Sequence, residues 1–241
     1  MGVARAKGST WLSLLLATCL IRPASAADDD LLGAFASDHE GAAKAALSLA
    51  RTAFDAYALR RERISVPDHL PPLLSKRNGV FVSAIVSGAP RCCMGSLYPS
   101  RDSLAEEIIA AAVAAAGLDA RRAPIEPEEL KRLRLVVSIV APPESIADPA
   151  SLNPVTDGLA VRSRTRTGVV LPGETRHRDR MIAWARIRAA AEPGEPIDYF
   201  RIRAFRIAEG GIGVRPQKID FGRHYEKRSV SIKTARPKSI F

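Results

Sequence analysis

Leu47, Ala50, Phe54 and Tyr57 recur at i, i+3, i+7 and i+10, the spacing of one helix face, and Ser37 with Glu40 has the spacing of a capping box. A helix is therefore expected from about Asp38 to Arg61. Pro67, Pro71 and Pro72 enforce an extended linker, because proline removes a backbone donor and restricts its predecessor. From Gly79 to Val86 the residues are β-branched, aromatic or small, Ser87-Gly88-Ala89-Pro90 is a turn signal, and Arg91 to Tyr98 is a second extended run. This pattern predicts a β-hairpin. Ser103 and Glu106 then open a second capping box before an alanine-rich run ending at Gly117, and that run has almost no polar face, as a buried helix would.

Further along, the pattern predicts a short helix over Glu126 to Leu133, a strand over Arg134 to Ala141 closed by Pro142-Pro143, and strands over Gly158 to Arg164 and Thr167 to Leu171. Thr175 to Ala191 reads as a helix with Met181, Ile182, Trp184 and Ala185 inward and its arginines mostly outward. Ile197 to Ile207 reads as one closing strand, with Phe200, Ile202 and Ala204 on one face and Tyr199, Arg201 and Arg203 on the other. Helices mingle with hairpin-connected strands without βαβ regularity, so the expected class is α+β in one compact unit.

The first 26 residues stand apart. Arg5 and Lys7 precede the apolar run Trp11 to Ile21, which ends in Ala24-Ser25-Ala26, the three-part pattern of a secretory signal. An 11-residue run is too short to span a bilayer. The expectation is a signal peptide over 1-26, cleavage near Ala27, a mature chain with no transmembrane segment, and a periplasmic or secreted location. Cys19 sits in a poor lipoprotein context after Thr18 and is expected to leave with the signal.

Charge refines this picture. Loss of Arg5, Lys7 and Arg22 takes the net charge from +10 to +7, of which Val214 to Phe241 carries +6. The body is nearly neutral, so nucleic acid is not an expected partner. The basic tail, 209-241, suits an anionic envelope surface instead.

Candidate chemistry centres on Arg91-Cys92-Cys93-Met94-Gly95. Adjacent cysteines permit a strained vicinal disulfide, a thiolate lowered by Arg91, or, by strand alternation, one cysteine filling the core while the other faces out. Alternation puts Cys93 on the side of Arg91 and Cys92 on the opposite side. Arg162, Arg164 and Arg166 alternate along one strand, with Arg121 and Arg122 nearby in kind, and converging guanidinium forks make an anion site unless they are simply a solvated face. No His/Cys/Asp/Glu spacing suggests a metal, no glycine loop suggests a nucleotide, and G-x-S-x-G and H-E-x-x-H are missing. No cofactor is expected.

Leu47-Ser48-Leu49-Ala50-Arg51, Asn78-Gly79-Val80-Phe81-Val82-Ser83 and Arg91-Cys92-Cys93-Met94-Gly95-Ser96-Leu97-Tyr98-Pro99 occur in the order seen in the AMMECR domain family, and the chain resembles that family from about Ala43 to Ile207. Asp119, Arg121, Glu129, Val136 to Val140, Asp157-Gly158 and Leu171-Pro172 extend the likeness. Cys92, Met94, Pro90, Arg122 and Gly173 depart from it. The resemblance implies an α+β domain, 42-208 after a lead-in over 27-41, of two unequal lobes with a mixed, mainly antiparallel sheet, flanking helices and a cleft near Arg91 and Cys93. It implies no particular reaction. The expected function is binding of a small anionic ligand or peptide in that cleft by Arg91, Arg121, Asp119, Arg162 and Arg164. The alternative is a thiol-dependent enzyme in which Cys93 is the catalytic nucleophile or redox group; no base in the sequence is placed to serve it.

Overall fold

A computed structural model describes residues 26-212. The signal-peptide expectation and nearly all of the basic tail lie outside the described residues. Four α-helices and nine strands follow in the order α1 Ala26–Ser37, α2 Lys44–Arg60, β1 Gly79–Val86, β2 Ala89–Ser96, α3 Leu104–Gly117, β3 Leu133–Val140, β4 Glu144–Ile146, β5 Gly158–Arg162, β6 Thr167–Val170, α4 Arg178–Arg188, β7 Asp198–Ile202, β8 Ala204–Ala208 and β9 Gly211–Ile212. The class is α+β. Every strand pairing is antiparallel, in a five-stranded sheet ordered β2-β1-β3-β8-β9 and a four-stranded sheet ordered β4-β7-β5-β6.

The hairpin β1-β2 turns at Ser87-Gly88, both with positive φ (51° and 77°), the geometry that favours glycine and matches strand twist. Pairing therefore starts at Ala89, two residues before the expected start of the second strand. Ser103 caps α3 as expected: Glu106 N–H donates to Ser103 Oγ at 3.2 Å, and Ser103 N–H to Glu106 Oε2 at 3.1 Å.

The Ser37-Glu40 box does not form. Ser37 Oγ donates back to the Gly33 carbonyl, and the Asp38 carboxylate instead accepts from Gly41 and Ala42 N–H groups at 3.0 and 2.9 Å. Chain that was expected to start a helix at Asp38 thus ends α1, passes through a π-helical turn at His39–Ala43 and re-enters as α2. Phe35 of α1 is fully buried and stacks on Phe205, ring centroids 6.3 Å apart, so the lead-in contributes to the core. Likewise Glu209, in the segment assigned to the tail, accepts from Arg51 Nε at 2.7 Å and from Leu135 N–H at 2.8 Å. The short helix expected at Glu126 to Leu133 is a single 3-10 turn, Pro127–Glu129, since Leu133 already belongs to β3.

One face of the larger sheet is covered by helices. Val80, Val82, Ala84, Cys92, Leu135, Val137, Ile139 and Ile207 pack with Ala50, Phe54, Ile108 and Ala112 of α2 and α3. The other face meets the smaller sheet and α4, where Val136 joins Leu159, Val161, Met181 and Trp184, and Phe81 joins Leu171, Phe200 and Ile202. The run expected as one strand, Ile197 to Ile207, is divided at Arg203: β7 belongs to the smaller sheet and β8 to the larger. Opposite it, Ala141-Pro142-Pro143 separates β3 from β4 in the same way, and Ala141 N–H donates to the Arg203 carbonyl at 2.9 Å. A two-stranded ribbon therefore passes from one sheet into the other, and the bend opens a space between them.

Candidate functional site

That space is a cleft of about 460 Å³. Its walls come from β1 and β2 on one side (Phe81, Ser83, Cys93, Gly95) and from β5, β6 and β7 on the other (Ala160, Val169, Phe200), with Leu171, Glu174 and Arg188 between them. The volume and the mainly apolar walls with a few polar groups are those of a small-ligand site.

Alternation along β2 decides the cysteines. Cys92 is buried in the helix-covered core, and Cys93 sits on the cleft face opposite Ser83, half-buried and hydrogen-bonded to the Ser83 hydroxyl. Both thiols are free. Burial pushes the Cys92 thiol up to about 12. Burial first, and the Glu174 carboxylate second, also raise Cys93, against the opposing pull of Ser83, Arg188 and Arg121. At neutral pH Cys93 is a thiol, hence a hydrogen-bonding group and a poor nucleophile. His69 and His177 are exposed and line no part of the cleft. Among the described residues, no group of three or more His, Cys, Asp and Glu side chains converges as metal ligands would.

Most of the arginines expected to hold an anion already hold a carboxylate of the chain itself. Arg91 reaches Glu129 through Nε at 2.7 Å and Nη at 3.0 Å and donates to the Ala123 and Pro124 carbonyls. Arg121 clasps buried Asp119 through Nε and Nη, each at 2.7 Å, and donates to the Cys93 carbonyl at 2.7 Å. Asp119 stands behind this contact and does not line the cleft. Arg162 is at the cleft, paired with Asp198 at 2.7 Å and stacked over the Phe200 ring at 5.0 Å. Arg164 is exposed in the β5-β6 turn and lies off the cleft lining, because strand pairing ends at Arg162. Arg122 is different: it lines the cleft, half-buried, with no carboxylate partner among the described residues.

The AMMECR1 family model matches residues 47-208. The chain belongs to the AMMECR1 family. A protein of Methanothermobacter thermautotrophicus is 36% identical over 132 residues, 52% of this chain and 68% of its own. Another from Thermotoga maritima is 36% identical over 117 residues, 47% of this chain and 67% of its own. In structure, the uncharacterized protein PH0010 of Pyrococcus horikoshii superposes with a TM-score of 0.63 at 27% identity, over 68% of this chain and 90% of its own.

The polar floor of this AMMECR1 domain escaped sequence reasoning. Glu174 Oε2 accepts from Arg188 Nη at 2.8 Å while its Oε1 accepts from Leu171 N–H at 2.9 Å, and Arg188 also donates to the Val169 carbonyl. Beneath them Arg206 donates to the Pro172 carbonyl at 2.6 Å; burial lowers its pKa, with Glu174 and Cys93 pulling the other way. Its Nε and the fully buried Ser138 Oγ, cross-strand neighbours on β8 and β3, have no hydrogen-bond partner among the described residues. The one available signal was polarity at inward positions of otherwise apolar strands, Ser83, Ser138 and Arg206.

Proposed function

We propose that the cleft of this AMMECR1 domain binds a ligand with an apolar body and an anionic group, a small acid or a peptide, and that it does so without thiol catalysis. The observation that carries this reading is Arg122, a guanidinium on the wall of an apolar cleft with no carboxylate partner among the described residues, beside neighbours that each have one. A guanidinium in that position gains a bidentate partner when a carboxylate or sulfonate arrives, while Phe81, Leu97, Leu171 and Phe200 remove the apolar body from water. Arg91, Arg121 and Asp119 act one step back: their pairs tie the loop after α3 to β2 and fix the cleft wall. Thiol chemistry is less well supported, since Cys93 is held protonated, the nearby Glu174 carboxylate is committed to Arg188 and the Leu171 N–H, and no histidine of the described residues lines the cleft. The proposed setting is the cell envelope, from the pattern of Arg5, Lys7, Trp11 to Ile21 and Ala24-Ser25-Ala26; a precursor-sized chain confined to the cytoplasmic fraction would refute it.

The test is a fluorescence titration with 8-anilinonaphthalene-1-sulfonate, which joins a sulfonate to an apolar body. The native protein is expected to bind it at one saturable site. Arg122→Glu weakens binding by about tenfold or more, roughly 1.4 kcal/mol, whereas Arg164→Glu changes it by less than about twofold. Equal affinities in the three proteins would overturn the reading.

A further inference from the structure

The ligand reading above can be carried to a class of ligand, because the cleft is flanked by two strand edges. β2 is the outer strand of the larger sheet and β6 the outer strand of the smaller one, and both line the cavity. An outer strand presents N–H and C=O groups that can pair with another chain.

At Cys93 this edge is already occupied. The Cys93 N–H meets the Asp119 carboxylate, and the Cys93 carbonyl accepts from Arg121 at 2.7 Å, so two side chains stand where a neighbouring strand would make one rung. In an antiparallel ladder the residues that turn their backbone groups away from the partner recur every second position. Cys93 faces Ser83 and Gly95 faces Phe81 in the β1-β2 register, so Gly95 turns outward as Cys93 does. Gly95 is exposed and lines the cleft, and no side chain or loop of the described residues bonds it in the way Asp119 and Arg121 bond Cys93.

A strand added beside Gly95 has to stop at the next rung, where the Asp119-Arg121 latch closes the edge. Arg122 lines the cleft immediately after that latch in sequence. A guanidinium at that point suits a terminal carboxylate, which it can hold through two parallel N–H bonds. A strand whose C-terminus lies at the Cys93 end also runs antiparallel to β2, in keeping with every other pairing in the sheet.

We propose that the cleft takes the free C-terminal end of an extended peptide, which adds as an antiparallel strand beside β2, pairs with Gly95, and places its terminal carboxylate on Arg122. Apolar side chains of the peptide enter the cleft on alternate residues, against Phe81, Leu97 and Phe200.

The test uses the full chain and an acetylated pentapeptide pool, randomised without cysteine, made once as free acids and once as C-terminal amides. Binding is read by affinity selection and mass spectrometry, and the strongest ligand is remade with each amide N-methylated in turn. The expected results are an acid preference of about tenfold or more, its disappearance in Arg122→Ala, a comparable loss from N-methylation at one interior amide only, and slowed hydrogen exchange at the Gly95 amide in the complex. The proposal is overturned if no peptide is retained, if N-methylation at every position is tolerated, or if Gly95 exchange is unchanged by a bound peptide. Retained sulfonate-dye binding with those negatives leaves the cleft reading standing and removes only the peptide strand; loss of both removes both.

Discussion

Cys92 and Cys93 are neighbours in the chain and belong to different worlds. The face of the larger sheet that contains Cys92 meets α2 and α3 through apolar side chains, Val, Leu, Ile and Ala together with Met94 and Phe205, which need only to fit. The face that contains Cys93 carries Ser83, Ser138 and Arg206 among its apolar residues, and each polar group there needs a partner. A single-residue step along a strand thus separates what holds the fold from what gives it a site. Packing alone would have made both faces like the first.

The comparison breaks most sharply at Glu174. Removing it leaves the partly buried Arg188 without this carboxylate and Arg206 without the opposing charge that Glu174 supplies, so Glu174→Ala is expected to cost about 3–5 kcal/mol in denaturant unfolding. A loss below about 1 kcal/mol would mean that water enters the floor freely and that the two faces are less unlike than described.

A smaller effect separates the two cysteines. Cys92→Ser sets a hydroxyl among Val82, Ala84 and Ala112 and is expected to cost about 1–3 kcal/mol, whereas Cys93→Ser, beside the Ser83 hydroxyl, costs under about 1 kcal/mol. In the native wild type a thiol reagent should modify Cys93 slowly, speeding up as pH rises, and spare Cys92 until the protein unfolds, as follows from both thiols being raised. Equal costs and equal reactivities would erase the distinction between the faces.

The smallest effect sits at the margin of the cleft. The hydrogen bond from Arg91 lowers the Glu129 pKa below its ordinary 4.5, so the pair stabilises the folded protein above that pH and the gain fades as pH falls through the lowered value. Glu129→Gln is expected to cost about 1–2 kcal/mol at pH 7, and the gap to wild type should narrow as pH drops below 4.5. A gap independent of pH would show that the carboxylate's charge has no part in holding the cleft wall.

Much of this architecture can be read in the chain itself. Strand alternation assigned Cys92 and Cys93 to opposite sides, and the Ser103 capping box and the hairpin turn are local patterns whose partners lie within a few residues. The misread places are of two kinds, a competition between neighbouring caps and a contact with a distant segment. Asp38 rather than Ser37 accepts the loose amides after α1, and the division at Arg203 depends on a bond to Ala141, 62 positions away. The site was legible as a set of arginines but not as a charge balance. Glu129 is 38 residues from Arg91, and no periodicity reveals that Arg122 lines the cleft without a carboxylate partner among the described residues.

The ribbon that bends at Ala141-Pro143 and Arg203 bears on how such a protein can be inherited. Because β3 runs on into β4 and β7 into β8, each sheet borrows two strands from a single continuous pair, and neither lobe is a cassette that recombination could lift out whole. A cut anywhere in the ribbon would strip strands from both sheets at once. The cleft and the scaffold behind it therefore descend together, and variation in the cleft has to arise by substitution along its walls rather than by exchange of modules.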